Sequence, residues 1–361
     1  MNLYMPTKVF SEHHCVSNHR DEFKMLGKKA MIVTGKHSSR NNGSLDDVKE
    51  ALAKNGQEYV IFDDMEENPS VETVVKATKA AVEEGVDFFF AIGGGSPMDA
   101  SKAISLLSRN PEKLDHALEF LYTFQRADYY PVVAVPTTCG TGSEVTPYSV
   151  LTIHSRRTKK SIAHRIFPEI ALMDARYLKT AGRNTIVNTC VDALGHLIEA
   201  FLCTNSNEIN KIYAREGLRM WGEFKESLFQ NSFSDELLEK YLHTSMLAGI
   251  AIAHTSTSIP HGLSYQLTYE KNIAHGRAVG YFLPGFLRIY EDGKRVEEVL
   301  NCLGFSAKEE FQEYIEKLIG KPEVTRAEWM KNVDTMMNQP EKLKNHPFPM
   351  TRDTLCKMLT V

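Results

Sequence analysis

The stretch VDALGHLIEA, residues 191–200, has the spacing of a helix that decides how the second half of the chain folds. Asp192 and His196 are four residues apart, so one helical face carries both side chains. Apolar residues such as Leu194 and Leu197 would fill the opposite side. The polar pair indicates either metal ligands, or an acid near the helix start together with a hydrogen-bonded core histidine.

Two further histidines favour the metal interpretation. His261 and His275 are each followed directly by a glycine, in the apolar sequences PHG and AHG. Three imidazoles and one carboxylate make a nitrogen-rich ligand set that suits a divalent transition metal such as Fe, Zn, Ni or Co, with room for a substrate oxygen. The sequence therefore predicts a metal site built from three separate segments.

These motifs resemble those of the iron-containing (group III) alcohol dehydrogenases, and the resemblance runs along nearly the whole chain. The family pattern Asp-Ala-Leu-x-His-x-Ile-Glu-Ala begins at Asp192, and the two His-Gly pairs follow it. The resemblance places the metal ligands on Asp192, His196, His261 and His275, and implies Fe²⁺ with Zn²⁺ as the alternative. Many members carry another histidine four residues after the third ligand, where this chain has Tyr265.

The composition is that of a globular chain of about two domains. It has 361 residues, of which 42% are hydrophobic and 24% charged, and its formal net charge is −4. This charge, without a dense basic stripe, argues against nucleic acid as the main partner. We find no run of about 18 apolar residues and no signal peptide, so we expect a cytoplasmic protein with no membrane partner. The six scattered cysteines, which lack a Cys-x-x-Cys pair, argue against a disulfide framework.

Strands alternate with helices through the first half, which predicts a mostly parallel sheet. Apolar runs predict strands at 29–34, 59–62, 86–92, 131–135, 148–153 and 170–174, the last closing the sheet. Helical periodicity then covers 186–203, 208–230, 234–255 and 275–291. With the resemblance, this predicts a Rossmann-like α/β cofactor domain at 1–180 and an all-α metal-binding domain at 181–361. This is the dehydroquinate synthase-like fold of group III alcohol dehydrogenases, with the active site in the cleft between the domains.

The turn Gly93-Gly94-Gly95-Ser96 indicates a phosphate site. Pro97 favours the start of a helix directly after it, and free N–H groups at a helix start bind anions. Many such turns bind nothing, and this one lacks the G-x-G-x-x-G pattern. The resemblance nevertheless implies that it holds the cofactor diphosphate.

The loop PTTCGTGSEVT, residues 136–146, offers hydroxyl groups suited to ribose, phosphate and carboxamide. It resembles the family motif Thr-Thr-x-Gly-Thr-Gly-Ser-Glu-Val-Thr, and Cys139 at the variable position is expected to be a small buried residue rather than a nucleophile. The family also places a cofactor-contacting lysine before the next strand, for which Lys160 is the best match. The expected cofactor-binding residues are Gly35, Lys36, Ser39, Asn68, Gly94, Gly95, Ser96, Asp99, Thr137, Thr138, Thr141, Thr146 and Lys160.

The residues after the first predicted strand indicate which cofactor is used. An acid at such a strand end accepts hydrogen bonds from the ribose of NAD and repels a 2′-phosphate. Here Gly35 and Lys36 follow Thr34, and no acid occurs until Asp46. We therefore expect NADP(H) to be preferred to NAD(H). The alternatives are a solvated turn that touches nothing, or Asp63 reaching the ribose from the second strand.

We expect a metal-dependent alcohol dehydrogenase that transfers a hydride between NAD(P)(H) and small primary alcohols or diols and their aldehydes, working as a homo-oligomer, a dimer. The alternatives are a polyol dehydrogenase similar to glycerol dehydrogenase, a lyase similar to dehydroquinate synthase, and a non-enzymatic binding scaffold. Asp192 and the three histidines are the expected catalytic residues, together with Tyr265 as a proton relay or a packing residue. His254, seven residues before His261, is a further candidate for the substrate pocket.

Overall fold

Residues 3–358 are described by a computed structural model. The strands are β1 (Lys8–Ser11), β2 (Lys29–Thr34), β3 (Glu58–Phe62), β4 (Phe88–Gly93), β5 (Val132–Pro136), β6 (Val150–Ile153), β7 (Thr158–Ser161) and β8 (Ile170–Met173). The helices are α1 (Cys15–Asn18), α2 (Arg20–Phe23), α3 (Ser38–Asn41), α4 (Ser44–Asn55), α5 (Val71–Glu83), α6 (Gly95–Arg109), α7 (Ala117–Tyr122), α8 (Arg183–Leu202), α9 (Glu208–Phe224), α10 (Asp235–Thr255), α11 (Ile259–Lys271), α12 (His275–Gly280), α13 (Leu283–Ile289), α14 (Gly293–Leu303), α15 (Lys308–Ile319), α16 (Arg326–Met337), α17 (Pro340–Leu343) and α18 (Arg352–Cys356).

The predicted parallel sheet is confirmed, with the strand order β1-β8-β5-β4-β2-β3. Its central strands β4 and β5 are buried along their whole length, as is typical of a parallel sheet covered on both faces. Phe89 and Ala91 of β4 belong to one core cluster, and Phe88 and Phe90 belong to the cluster on the other face. Alternate residues of the same strand therefore serve two cores.

The sheet order creates a switch point between β2 and β4. From β2 the chain first moves to β3 on one side and then returns to place β4 on the other side. Thr34 at the end of β2 pairs with Ile92, and Gly93 at the end of β4 pairs with Pro136 of β5. The turns that follow these three strands therefore share one edge of the sheet. Ligands of open α/β sheets bind at this kind of edge, outside the carboxyl ends of the strands at a switch point.

The second half is helical, as predicted, and α8 lies at its centre. This helix packs against α9, α10 and α12, and most of its side chains are buried. By length and composition alone α8 is apolar enough to cross a membrane, but it is mostly buried inside the protein. Such burial is typical of a core helix, and Asp192 and His196 lie within it.

Several details differ from the sequence predictions. The strand β1 was not predicted, and it pairs with β8, so the strand at 170–173 is internal rather than the last of the sheet. The helix α6 begins at Gly95, which places Pro97 at the third position instead of the first. The segment 275–291 forms two helices, with Pro284 in the first turn of the second. The helix α11 was also missed, although its Pro260 fits a first turn.

The chain divides into two compact units. One comprises residues 5–138 and 142–181, and the other comprises 182–358 with the short stretches 3–4 and 139–141. The assignment of a cofactor domain to 1–180 and a metal domain to 181–361 stays a prediction.

Candidate functional site: a metal centre and a cofactor edge

Three predicted ligands converge in the helical unit. Asp192 of α8, His261 of α11 and His275 of α12 each offer an atom within 4.8 Å of the others. Asp192 Oδ1 lies 3.4 Å from His261 Nε2 and 3.6 Å from His275 Nε2. His196 lies beside this group, with its ring stacked on that of His261 at a centroid distance of 4.3 Å. The four residues that the sequence proposed are therefore neighbours, and three of them form a compact ligand set.

The glycines of the His-Gly pairs have a packing reason. A Cβ on Gly276 would lie 1.8 Å from the carbonyl oxygen of Asn188 on α8, so a glycine after His275 lets α12 approach the ligand helix. A Cβ on Gly262 would lie 2.6 Å from Met336 Sδ. Close helix approach, rather than an unusual backbone angle, thus explains why glycine follows each histidine.

Each histidine of the cluster has an acceptor at Nδ1. His196 Nδ1 donates to the Gly140 carbonyl at 3.2 Å, and His261 Nδ1 donates to Glu199 Oε1 at 2.8 Å. His275 Nδ1 lies 3.4 Å from Ser264 Oγ, whose hydroxyl donates to the His261 carbonyl. These acceptors favour the Nδ1–H tautomer in all three rings, which leaves the Nε2 lone pairs for a metal.

The buried polar atoms fit a cation. Within residues 3–358, Asp192 Oδ1 and His261 Nε2 are buried and make no hydrogen bond. A buried polar atom without a partner costs free energy, and a cation that both atoms ligate would remove that cost. One carboxylate oxygen and imidazole nitrogens are ordinary ligands for a divalent Fe or Zn ion.

The charged groups of the metal site shift one another's pKa values. Burial acts to raise the pKa of Asp192, but His196, His275 and His261 outweigh it and hold that pKa well below its usual range. Burial lowers the pKa of His196 to about 4, which keeps this ring neutral as ligation requires. For His261 burial again favours the neutral form, yet Glu199 and Asp192 outweigh burial and raise the pKa to about 9. A cation and a proton therefore compete for His261.

Of the other predicted residues of the helical unit, Tyr265 lies beside the ligand cluster and His254 is bonded to backbone groups. The ring of Tyr265 stacks on that of His275, with centroids 5.8 Å apart and an interplanar angle of 26°. His254 donates from Nδ1 to the Ile250 carbonyl, and its Nε2 accepts from the backbone N–H of Tyr4. Both ring nitrogens of His254 are thus engaged by backbone, which leaves neither for a substrate.

At the sheet edge of the other unit, a polar cluster surrounds the start of α6. The backbone N–H of Asn68 donates to Ser96 Oγ at 3.0 Å, and Lys159 Nζ donates to Asn68 Oδ1 at 2.6 Å. Lys159 is buried, whereas Lys160, the predicted contact, is exposed. Successive residues of a strand face opposite ways, so β7 brings only one of these two lysines to the cluster. The structure brings Asn68, Ser96 and Lys159 together and leaves Lys160 outside this cluster.

The backbone of the glycine turn is constrained at Gly93 and closely packed at Gly94. Gly93 has a φ of 150°, and a Cβ there would lie 2.6 Å from Pro97. Gly94 has an ordinary φ of −83°, but a Cβ would lie 2.9 Å from Thr138 Oγ1. No side chain caps the start of α6, whose first residue is Gly95. The N–H groups there are left for an anion.

Of the remaining predicted cofactor residues, Asp99 lies on α6 and the four threonines lie in or at the ends of the loop at 136–146. Asp99 accepts hydrogen bonds from the Ser143 hydroxyl at 2.6 Å and from the Val150 backbone at 2.8 Å, so it braces the loop rather than faces outward. The threonines of the loop at 136–146 have varied surroundings. Thr137 donates its backbone N–H to the Gly93 carbonyl, Thr138 lies against Gly94, Thr141 is partly buried and Thr146 is buried.

The turn after β2 is less open than predicted. Lys36 pairs with Asp64 at 2.9 Å, and Arg40 pairs with Asp63 at 2.6 Å. Ser39 is fully buried, so its hydroxyl is not at the surface. A Cβ on Gly35 would meet only the Met65 carbonyl, at an ordinary 3.7 Å, so there is space for a side chain.

Comparison with known proteins identifies the family. Residues 6–175 match the iron-containing alcohol dehydrogenase family, and residues 186–343 match the C-terminal region of the Fe-containing alcohol dehydrogenase family. An iron-containing alcohol dehydrogenase from Thermotoga maritima is 35% identical, with a TM-score of 0.91 over 99% of this chain and 98% of that one. The chain belongs to the iron-containing alcohol dehydrogenase family.

Relatives of this alcohol dehydrogenase family member differ in length. The NADPH-dependent butanol dehydrogenase of Clostridium saccharobutylicum is 32% identical over 263 residues, which cover 72% of this chain and 67% of that protein. Aldehyde-alcohol dehydrogenase 2 of Entamoeba histolytica is 31% identical over 297 residues. The match covers 79% of this chain but only 33% of that relative.

Two functional candidates in this family member were missed from the sequence. Glu199 was not predicted as a functional residue, because its contact with His261 joins residues 62 positions apart and no local spacing reveals it. Lys160 was predicted instead of Lys159. In a strand at 158–161 the two side chains point to opposite faces, so only one of them can face a given site.

Proposed function

We propose that the chain is a metal-dependent alcohol dehydrogenase that transfers a hydride between NADP(H), with NAD(H) as the alternative, and small primary alcohols or diols and their aldehydes. The observation that carries the proposal is the convergence of Asp192, His261 and His275 within 4.8 Å inside a family of known chemistry. Fe²⁺ is the expected metal, with Zn²⁺ as the alternative, and a dimer in the cytoplasm is the expected form.

The residues of the helical unit would prepare the metal centre. Asp192, His261 and His275 would hold the cation, with His196 as the fourth ligand from the same face of α8. When bound, the cation supplies Lewis-acid stabilisation at a substrate oxygen, and the nicotinamide supplies or accepts the hydride. The acceptors at Nδ1 fix the three rings before binding, so little reorganisation is required of them.

Two roles are proposed for Tyr265: packing against His275 and transfer of a proton. Its ring stacks on His275, which supports packing, and a phenol beside a ligand is also placed to carry a proton from a bound alcohol. In Tyr265→Phe the stacking survives and the hydroxyl is lost. A large fall in kcat with unchanged metal content would identify the proton relay.

The sheet edge would hold the cofactor. The uncapped start of α6 offers N–H groups to a diphosphate, and the Asn68–Ser96–Lys159 cluster lies beside it. Lys159 would add positive charge to the same place. Thr137, Thr138, Thr141 and Thr146 would supply hydroxyl and backbone contacts, and Gly35 with Lys36 would meet the adenine ribose.

The comparisons favour this function over the alternatives. The butanol dehydrogenase relative uses NADPH by its name, which supports a small alcohol and NADP(H) here. The lyase alternative requires a glutamate among its metal ligands, as dehydroquinate synthase-like proteins have, whereas the cluster here contains Asp192. A polyol substrate remains within the proposed class of alcohols and diols.

The test is an NADPH oxidation assay with butanal and the metal-loaded protein. We expect steady loss of NADPH absorbance that requires butanal and is nearly abolished in His261→Ala. Absence of turnover with a broad panel of aldehydes and alcohols, in protein that holds its metal, would refute the proposal.

A further inference from the structure

Glu199 occupies a position that the ligand set alone does not explain. It lies on α8, two turns beyond Asp192, and its side chain is fully buried. A buried carboxylate is destabilising unless charge partners and hydrogen bonds satisfy it. Its partners therefore indicate what this residue is for.

Within residues 3–358, the hydrogen bonds of the Glu199 carboxylate lead to His261 or to the start of its helix. Oε1 accepts from His261 Nδ1 at 2.8 Å and from the His261 backbone N–H at 3.0 Å. Oε2 accepts from the backbone N–H of Ser258, the N-cap residue of α11. One side chain of α8 thus fixes both the imidazole and the first turn of the helix that carries it.

We propose that Glu199 is a positioning residue that sets the tautomer and the ring orientation of His261 and thereby the metal affinity of the site. A carboxylate accepts but does not donate, so the hydrogen on the bonded ring nitrogen must be on Nδ1. The lone pair of Nε2 is then directed toward Asp192 Oδ1, 3.4 Å away, where the cation is expected. Carboxylates that hold a ligating histidine in this way commonly raise its basicity as well. The inference rests on the proposed function, since it assumes that the cluster binds a metal.

Glu199→Gln is the informative variant because it keeps the size of the side chain. If the amide oxygen stays opposite His261, the amide NH₂ group faces the Ser258 N–H, and two donors oppose each other. If the amide turns over, the NH₂ group faces His261 Nδ1 and favours the Nε2–H tautomer, which cannot ligate. Both arrangements remove the negative charge.

Asp174→Asn is the matched control. Asp174 is also fully buried, and it accepts hydrogen bonds from the His14 backbone at 2.7 Å and from Arg176, in the sheet unit. This variant loses a buried carboxylate and some stability without touching a ligand. It therefore measures what general destabilisation does to metal binding.

The experiment titrates chelator-stripped full-length protein with Zn²⁺ in competition with a chromophoric chelator. We expect Glu199→Gln to raise the Zn²⁺ dissociation constant about 10–100-fold and Asp174→Asn to leave it unchanged. In the Zn²⁺-loaded wild type, the His261 Nδ1–H proton should give a downfield NMR resonance in histidine-labelled protein that is lost or moved in Glu199→Gln. If Glu199→Gln does not fold, Glu199→Asp carries the same test, because its shorter side chain cannot reach Nδ1 and the backbone together.

The outcomes separate this proposal from the proposed function. Wild-type Zn²⁺ affinity and an unmoved resonance in Glu199→Gln would overturn the role of Glu199, as would an equal loss of affinity in Asp174→Asn. A wild type that binds no Zn²⁺, or a His261→Ala variant that binds it normally, would overturn the metal site itself.

Discussion

The substitution Gly35→Asp is expected to move cofactor preference from NADP(H) toward NAD(H). Gly35 follows β2 at the switch-point edge, and a Cβ there meets only the Met65 carbonyl at 3.7 Å, so the new side chain fits. A carboxylate about 5 Å from a doubly charged 2′-phosphate, in an effective dielectric of about 60, costs about 2 kcal/mol. The ratio of kcat/KM for NADPH to that for NADH should therefore fall roughly 30-fold.

The ion pairs beside Gly35 do not prevent Lys36 and Arg40 from contacting a 2′-phosphate. Lys36 and Arg40 are held by Asp64 and Asp63, but both pairs are solvent-exposed. Exposed ion pairs contribute little to stability, so either cation can exchange its carboxylate for a 2′-phosphate.

Steady-state kinetics with butanal and each reduced cofactor measure the shift, and Gly35→Asn is the control for size without charge. The asparagine variant should shift the ratio much less than the aspartate variant. A wild type that favours NADH, an unmoved ratio in Gly35→Asp, or an equal shift in both variants would refute the placement of the ribose.

Three further predictions concern the scaffold and the cofactor edge. Gly93→Ala should lower the free energy of unfolding by about 2–3 kcal/mol in urea titrations, because a φ of 150° and 2.6 Å to Pro97 both oppose a Cβ; a loss too small to resolve would show that the turn adapts. Burial lowers the pKa of His346 to about 4 from an ordinary 6.5, so the unfolded chain takes up a proton first as the pH falls. The stability from this residue is full above about pH 6.5 and is lost by about pH 4, to the extent of about 3 kcal/mol. His346→Phe should remove that part of the pH dependence of unfolding, and an unchanged profile would contradict the assignment. Lys159→Ala should raise the NADPH dissociation constant measured by fluorescence while Lys160→Ala does not, and the reverse order would contradict this assignment and support Lys160, the residue predicted from the sequence.

Local patterns in the sequence identified the elements that carry the chemistry. Four-residue spacing placed Asp192 and His196 on one buried helix face. The turn after β4 was likewise recognised from its glycines. Each of these features depends on residues close together in the chain, which is why the sequence was sufficient.

Other features depend on contacts that no local pattern contains. The strand β1 has only four residues with a weak burial pattern, and pairing with the distant β8 makes it a strand. The helix α11 was missed because Pro260 and Gly262 both disfavour a helix interior. Pro260 is tolerated because it lies in the first turn of α11, and Gly262 leaves the space that Met336 occupies. The carboxylate of Glu199 meets His261 only after α8 and α11 have packed.

The most direct test of the account is whether catalysis depends on a metal held by Asp192 and the three histidines. Protein purified without oxygen should be stripped with a chelator and assayed for butanal-dependent NADPH oxidation before and after Fe²⁺ or Zn²⁺ is restored, with metal content measured in parallel. We predict an inactive stripped protein, recovery at about one ion per chain, and neither retention nor recovery in His275→Ala. Full activity in the stripped protein, or full activity with normal metal content in His275→Ala, would contradict the metal centre.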